Sequence, residues 1–340
     1  MIEIKNLVKK YSNKTVLNKI NFTVSEGEIL GFLGPNGAGK STTMNIITGY
    51  IAPTNGTVVI DDVDIMKNPK KAKLKIGYLP EIPPLYIDMT VKSYLDFMYN
   101  LKKIKFSRQN HIEEVCKSVE IQDVYNKIIK KLSKGYKQRV GIAQALLGYP
   151  PVIILDEPTV GLDPNQIISV RKLIKSLGKK HTVIISSHIL SEIQAVSDRV
   201  VVISKGKIVA DNTVEGIEKM SSRDSNIVLQ IDGDQEEVEN VLKTVEGIKK
   251  IKDIFFKEKN VYEYIIEFDT NIDVRRNIFK ILSEKDFTIL KFDIVKPSLE
   301  DVFIKLTSAN YVENNNNDDS LNYIKDSENN NGSGKNDSNI

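Results

Sequence analysis

The sequence predicts an α/β core with a smaller antiparallel β part, a helical insertion and a small α+β domain at the C-terminal end. Three observations carry this. Apolar runs at Ile29–Leu33, Pro151–Leu155 and Val183–Ile185 continue without alternation, as strands buried on both faces do. Each is followed by residues of helix-starting character. Residues 91–131 differ from both neighbours: they are rich in Lys, Glu and Tyr, with apolar side chains at helical spacing (Val91, Leu95, Met98; Ile112, Val115, Val119).

The first element is a pair of short antiparallel strands. Ile2, Ile4 and Leu7 begin an alternating segment that Val16-Leu17, Ile20, Phe22 and Val24 continue, punctuated by Asn13 and Gly27. Tyr11 sits between the two runs. An aromatic there either stacks on a nucleotide base or packs within the hairpin, and the sequence leaves both open.

The stretch that follows organises the rest. Gly34 to Ser41 reads G-x-x-x-x-G-K-S after an apolar strand and before a helix that ends near Gly49, the context a P-loop requires. Gly34, Gly37 and Gly39 let the backbone approach a ligand closely. The loop amides around Asn36 and the helix N-terminus turn positive dipole towards phosphate oxygens. Lys40 adds a point charge on the β- and γ-phosphates, and Ser41, followed by Thr42, offers a hydroxyl to Mg²⁺.

Gly56–Ile60 and Lys75–Leu79 read as strands, and Pro80, Pro83 and Pro84 force an irregular connection. The helical insertion occupies about 90–148. His111 and Cys116 lie five residues apart, off a common helix face, and predict no metal site. Ser133 is a natural cap for a helix running to about Leu147. Asp156-Glu157 stands at the C-terminal end of the second buried strand, where open α/β sheets place their chemistry. Asp163-Pro164 starts another helix with a cap and a proline at its first position. Thr182–Ser186, the third buried strand, delivers Ser187-His188 to the same sheet edge, and Lys205-Gly206 reads as a hairpin between Val200–Ile203 and Ile208-Val209.

Residues from about 211 to 224 are polar and predict a boundary between a unit at 1–215 and another at 222–307. The second reads strand, helix, two strands, helix, strand, compatible with a ferredoxin-like split, then a terminal helix at 298–306. Residues 308–340 are dominated by Asn, Asp, Ser and Gly and predict a disordered tail.

Composition narrows the function classes. The 340 residues are 41% hydrophobic, which suits a globular chain with a sizeable core, and no apolar run approaches the ~18 residues a membrane span needs. The opening residues are already strand-like and charged, which predicts no secretory signal. A single cysteine, Cys116, excludes an internal disulfide and agrees with a reducing compartment. Beyond Thr307 six acids face two lysines, so the tail carries −4 and the remainder +7 of the total +3. Such an excess suits an acidic membrane surface, nucleic acid or plain solvent.

These motifs converge on one reaction. A P-loop needs a second acidic group for Mg²⁺, and Asp156 fits. Glu157 beside it can polarise an attacking water as general base, and His188 can reach the γ-phosphate. The set resembles the ATP-binding subunit of an ABC transporter over residues 1 to about 215. Tyr11 matches the adenine-stacking position and Gly34 to Thr42 the Walker A motif. Leu132 to Tyr136 matches the signature motif, Ile153 to Pro158 Walker B with its catalytic glutamate, Gly161-Leu162-Asp163 the D-loop, and His188 the switch histidine. Two motifs depart from the family pattern. Lys134 and Tyr136 replace a Gly and the Gln of Leu-Ser-Gly-Gly-Gln, while Ser133 and Gly135 are kept. Glu81 replaces the Q-loop glutamine, and a carboxylate can ligand Mg²⁺ but cannot donate as an amide does. Both variants, and Lys296 to Phe303, resemble the drug- and antibiotic-efflux branch.

The resemblance implies a P-loop NTPase fold and Mg²⁺-dependent ATP hydrolysis. Tyr11, Gly34, Asn36, Gly37, Gly39, Lys40, Ser41 and Thr42 would bind ATP, Glu157 and His188 would act in catalysis, and Ser41, Asp156 and Glu81 would hold the metal. Ser133 and Gly135 would cover the ATP of a second cassette in a dimer. It further implies export through a separate transmembrane permease at the cytoplasmic side of the cell membrane, with no nucleic-acid partner. The competing soluble classes act on ribosomes, usually with two cassettes in one chain, or on DNA, with a long coiled coil. This chain has one P-loop, one signature and a short insertion.

Overall fold

The computed structural model describes residues 1–217, 226–269, 272–295, 301, 303, 304, 307 and 308. The expected helix at 298–306, the Lys296–Phe303 segment and the tail lie wholly or largely outside those residues.

The first hairpin is longer than the sequence suggests. Strands β1 (Ile2–Tyr11) and β2 (Lys14–Val24) pair antiparallel from Ile2↔Val24 to Tyr11↔Lys14, with three register shifts on the way. Those shifts break the period-2 alternation and hide the strands' length. β4 (Asn55–Ile60) and β5 (Val63–Asp64) complete the sheet in the order β2-β1-β4-β5.

A six-stranded sheet runs β10-β9-β3-β8-β7-β6. Its strands are β3 (Ile29–Leu33), β6 (Ile76–Leu79), β7 (Val152–Asp156), β8 (Thr182–Ser187), β9 (Arg199–Ser204) and β10 (Lys207–Thr213). All pairs are parallel except β9–β10. The unbroken apolar runs have a simple cause. Leu30 and Phe32, with Val152, Ile154 and Ile184, pack towards the antiparallel sheet and α1 (Lys40–Ile47). Ile29 and Leu33, with Ile153, Leu155, Val183 and Ile185, pack towards the opposite layer. Both faces are therefore dry along these runs, and the polar residues of β7 and β8 stand at the strand ends.

That opposite layer contains α6 (Pro164–Gly178) and the helical insertion, with α3 (Val91–Leu101), α4 (Arg108–Ser118) and α5 (Lys134–Leu146). The caps fall where the side chains allow. Thr90 accepts from Ser93 N, Ser133 from Tyr136 N and Asp163 from Gln166 N. His111 is occupied structurally: its Nε2 accepts from Gly148 N at 2.9 Å.

Three elements have no forecast in the sequence. β5 has two residues, α7 (Leu190–Gln194) has five, and α2 (Pro69–Leu74) buries only Ala72, so none shows enough periodicity to read. The polar stretch from 211 begins inside the sheet rather than outside it, since β10 carries through to Thr213.

In the C-terminal α+β domain, β11 (Asn226–Asp232), α8 (Gln235–Lys243), β12 (Ile248–Glu258), β13 (Val261–Phe268), α9 (Val274–Glu284) and β14 (Thr288–Val295) follow in that order. The sheet order β12-β13-β11-β14, antiparallel throughout, is the ferredoxin-like split. One face carries a separate core of Leu229, Val238, Leu242, Tyr264, Ile266 and Ile278. Past this unit, Phe303 packs on the core that the six-stranded sheet shares with the helical insertion, and Thr307 O accepts from Ser204 Oγ at 3.3 Å.

Candidate active site

The chain leaves β3 and enters α1 by the shortest path, and two glycines make that possible. A Cβ on Gly34 would lie 2.4 Å from the Ile203 carbonyl oxygen, and Gly39, at φ +116, would place one 2.6 Å from Leu17 Cδ2. The loop is also tied from outside, because Gly206 N donates to Ala38 O at 2.9 Å. The amides and side chains of Asn36, Gly37, Gly39, Lys40, Ser41 and Thr42 therefore converge on one cleft of ≈ 820 Å³.

Opposite the loop, β7 and β8 deliver the acids. Glu157 follows β7 in the left-handed region, at φ 48, a conformation that a non-glycine residue holds only under constraint. The constraint is Ser186: its hydroxyl oxygen accepts from Glu157 N at 3.0 Å and its hydroxyl donates to Asp156 Oδ1. The turn aims the Glu157 carboxylate back at the P-loop. Lys40 Nζ lies 3.3 Å from Glu157 Oε1 and also donates to Gly34 O at 2.8 Å, while His188 Nδ1 stands 2.9 Å from Glu157 Oε2. Lys40 and Glu157 are buried and His188 is half-buried. A phosphate arriving at the loop thus competes with Glu157 for the same ammonium.

Asp156 sits behind this chain, within hydrogen-bonding reach of Ser41. Burial pushes its carboxyl above the usual range. The hydrogen bond from Ser186 opposes that shift, and the charges of Glu157 and Glu81 add to it. Glu81 is exposed on the cleft wall. A buried carboxylate whose acidic neighbours make it harder to ionise is one that a cation would relieve.

Tyr11 is not among the residues that line this cleft. Tyr11 ends β1, is 48% exposed and has Lys9 Nζ 4.8 Å from its ring centroid. The wall on that side is made by Lys14, Thr15 and Val16, and Lys205 and Val160 complete it. Sequence reasoning missed these five. Lys14 follows the turn between β1 and β2 and Lys205 lies in the turn between β9 and β10, so both read as hairpin residues.

Ser133 and Gly135 are also elsewhere. They line a second cleft of ≈ 410 Å³ with Tyr136, Arg139 and Gln166, sharing no residue with the first. Ser133 is exposed. A Cβ on Gly135 would lie 2.6 Å from Gln166 Oε1, so the glycine lets α6 pack against α5. Tyr136 OH donates to Asp123 Oδ2 at 2.6 Å, anchoring the departure from the usual signature to the insertion.

A buried clamp links the loop after β7 to the end of β8. Glu192 Oε2 accepts from Thr159 Oγ1 and, at 3.2 Å, from Ser187 Oγ. Ser187 Oγ accepts in turn from Ile189 N at 3.0 Å. No sequence signal pointed to Glu192, because it lies in the five-residue α7.

A family model described as ABC transporter matches residues 17–160. Over 314 residues the chain is 37% identical to the bacitracin transport ATP-binding protein BcrA of Bacillus licheniformis, which covers 92% of this chain and 99% of that one. The chain belongs to the ABC transporter family. It is an ATP-binding subunit of that family and an ATPase. The lantibiotic transport ATP-binding protein SrtF of Streptococcus pyogenes is 34% identical over 230 residues, 67% of this chain and 98% of its own. Among solved structures, the dimeric bacterial ABC transporter cassette MJ0796 shares a TM-score of 0.58 and 28% identity over 63% of this chain and 99% of its own. A post-hydrolysis state of that cassette, bound to ADP and Pi, matches to the same degree.

Proposed function

We propose that this cassette hydrolyses Mg²⁺-ATP in a dimer and thereby powers export through a separate membrane permease, working at the cytoplasmic side of the cell membrane. The observation that carries the reading is the wiring of Lys40, Glu157 and His188 in one cleft while Ser133 stands in another. The first cleft has what is needed to bind and attack a phosphate, and among the described residues nothing covers the γ-phosphate from the far side.

A second copy supplies that cover. The Ser133-capped α5 would direct its N-terminal dipole at the γ-phosphate held by Lys40 of the partner. Two such sites form at once in an isologous pair. The groups for Mg²⁺ are Ser41, Asp156 and Glu81. Oxygen donors of this kind suit a cation that keeps substrate phosphates and waters as its other ligands. Among the described residues no three His, Cys, Asp or Glu side chains gather to hold an ion. When bound, the ion neutralises developing phosphate charge. Glu157 takes a proton from water, whose oxygen attacks the γ-phosphorus as the bond to the leaving ADP oxygen breaks. His188 orients Glu157 and the attacked phosphate.

Support for a membrane partner comes from a third cleft of ≈ 570 Å³ between the end of α1, β6 and the insertion, reached by Tyr50, Lys73, Tyr78, Pro80 and Pro84. It adjoins Glu81, so a permease segment seated there would sense the nucleotide. The relatives' names support an antibiotic-type cargo. The test is a pull-down of the tagged chain from detergent-solubilised membranes with and without ATP. Recovery of one polytopic protein supports the reading. Recovery of ribosomes instead, with free cassette hydrolysing ATP, overturns it.

A further inference from the structure

Ser133 caps the first turn of α5, and the last turn is capped from outside the helix. Lys102, the residue that ends α3, donates through Nζ to Gln144 O at 2.7 Å, Leu147 O at 3.1 Å and Ala145 O at 3.4 Å. The amides that would continue the helical ladder to Gln144 O and Ala145 O are those of Gly148 and Tyr149. Both are engaged elsewhere: Gly148 N donates to His111 Nε2 and Tyr149 N to Leu146 O. Lys102 therefore takes carbonyls that the helix end leaves over, and its charge faces the negative end of the helix dipole. Among the described residues it has no carboxylate within ion-pair distance. Burial pulls its ammonium down to about 8, so it is still charged at neutral pH. The same turn is tied to β6, where Gln144 Nε2 donates to Tyr78 O at 2.6 Å and a Cβ on Gly77 would collide with the Ala145 carbonyl oxygen. One end of α5 is thus held by α3 and β6, while Ser133 at the other end is exposed.

We propose that Lys102 is a positioning residue for hydrolysis: by fixing the C-terminal end of α5 it sets where Ser133 meets the γ-phosphate held by a second copy. α5 has 13 residues, about 20 Å of continuous helix. A tilt about the anchored end displaces the free end most, and a misplacement of about 1 Å at a reacting centre costs on the order of 10²-fold in rate. Lys102 is absent from the walls of the nucleotide cleft, so it acts through the helix and not on the nucleotide. The cap uses the ammonium and leaves the third cleft, which Lys102 also lines, open to a permease segment. The inference rests on the reading that Ser133 completes the site of a partner copy.

The experiment compares Lys102→Met and Lys102→Arg with the parent chain, without permease. Lys102→Met should lower ATP turnover about tenfold and leave ATP affinity in dilute protein unchanged, which also establishes that it folds. Lys102→Arg, which keeps the charge and the donors, should recover most of the loss. The deciding readout mixes Lys102→Met with Lys40→Ala in equal amounts. Each mixed dimer then has one site that joins an intact Lys40 to an α5 still anchored by Lys102. Turnover should rise to about a quarter of the parent rate, above that of either variant alone. A cap needed only for the fold would leave the mixture no better than its components, and that result overturns the proposal. Undiminished turnover in Lys102→Met overturns it too, as does a matching loss of dilute ATP affinity. Ser133→Ala measured in parallel separates the two claims. If it lowers turnover and Lys102→Met does not, only the role of Lys102 fails; if neither does, the divided site fails with it.

Discussion

Lys40 and Ser133 would touch the same phosphate, yet the protein builds their surroundings in opposite ways. Lys40 is buried, fixed by the Gly34 carbonyl and paired with Glu157, inside a cleft shaped by two sheets. Ser133 is exposed at a helix end, engaged only as a cap. The buried half must hold an ammonium and two carboxylates without water, which demands complete wiring. The exposed half must be able to meet another molecule, and full burial would forbid that. The asymmetry is what a site divided between two copies requires of each one.

The sharpest way to break the comparison is at the wired half. Glu157→Gln should lower turnover by about 10²–10⁴-fold, with nucleotide affinity retained because Lys40 is released from its ion pair. Phosphate release and equilibrium ATP binding on one sample separate these effects, and undiminished release would remove Glu157 from the role of base. The exposed half should respond differently. Ser133→Ala is expected to cost about 10²-fold in turnover while leaving ATP affinity unchanged in dilute protein, where copies do not meet. A matching drop in dilute affinity would place Ser133 in the same-chain site.

A smaller effect is expected at the clamp between the two loops. Glu192→Ala leaves the hydroxyls of Thr159 and Ser187 without their acceptor, a loss of ~1–3 kcal/mol for each buried group stranded. Turnover should fall about tenfold with KM unchanged, and Glu192→Gln, which keeps an acceptor oxygen, should recover most of it. A change in KM alone would show that Glu192 supports binding rather than the loops' alignment. The smallest effect concerns stability. Burial pulls His111 and His181 below their ordinary value of 6.5. The unfolded chain takes up protons there that the fold refuses, so stability present above pH 6.5 is lost as the pH falls below it. Tm should drop between pH 7 and pH 5, and replacing His111 with Gln should flatten that drop.

How far the sequence could be read divides along the same line. Elements whose residues must satisfy one environment announced themselves. The double burial of β3, β7 and β8 leaves uninterrupted apolar runs, and the P-loop's glycines leave fixed spacings. The C-terminal α+β order was equally legible, because α8 and α9 are strongly one-sided around Val238, Leu242, Ile278 and Leu282. What escaped was set by distant contact. Glu192 matters because Thr159 and Ser187 happen to meet it, Lys205 because its turn abuts the P-loop, and Lys14 to Val16 because register shifts in β1 and β2 carry them to the cleft wall. Tyr11 shows the converse: a residue type suited to stacking, placed by the same hairpin on open surface.

The central claim is that one chain carries two halves of different sites, and mixing two defective chains tests it most directly. Lys40→Ala and Ser133→Ala are each prepared alone, each nearly inactive. Mixed in equal amounts, random pairing makes half of the dimers mixed, and each mixed dimer has one site with both Lys40 and Ser133 intact. Turnover should then recover to about a quarter of the wild-type rate. A mixture no more active than its components would contradict the divided site and return Ser133 to a purely structural role at the start of α5.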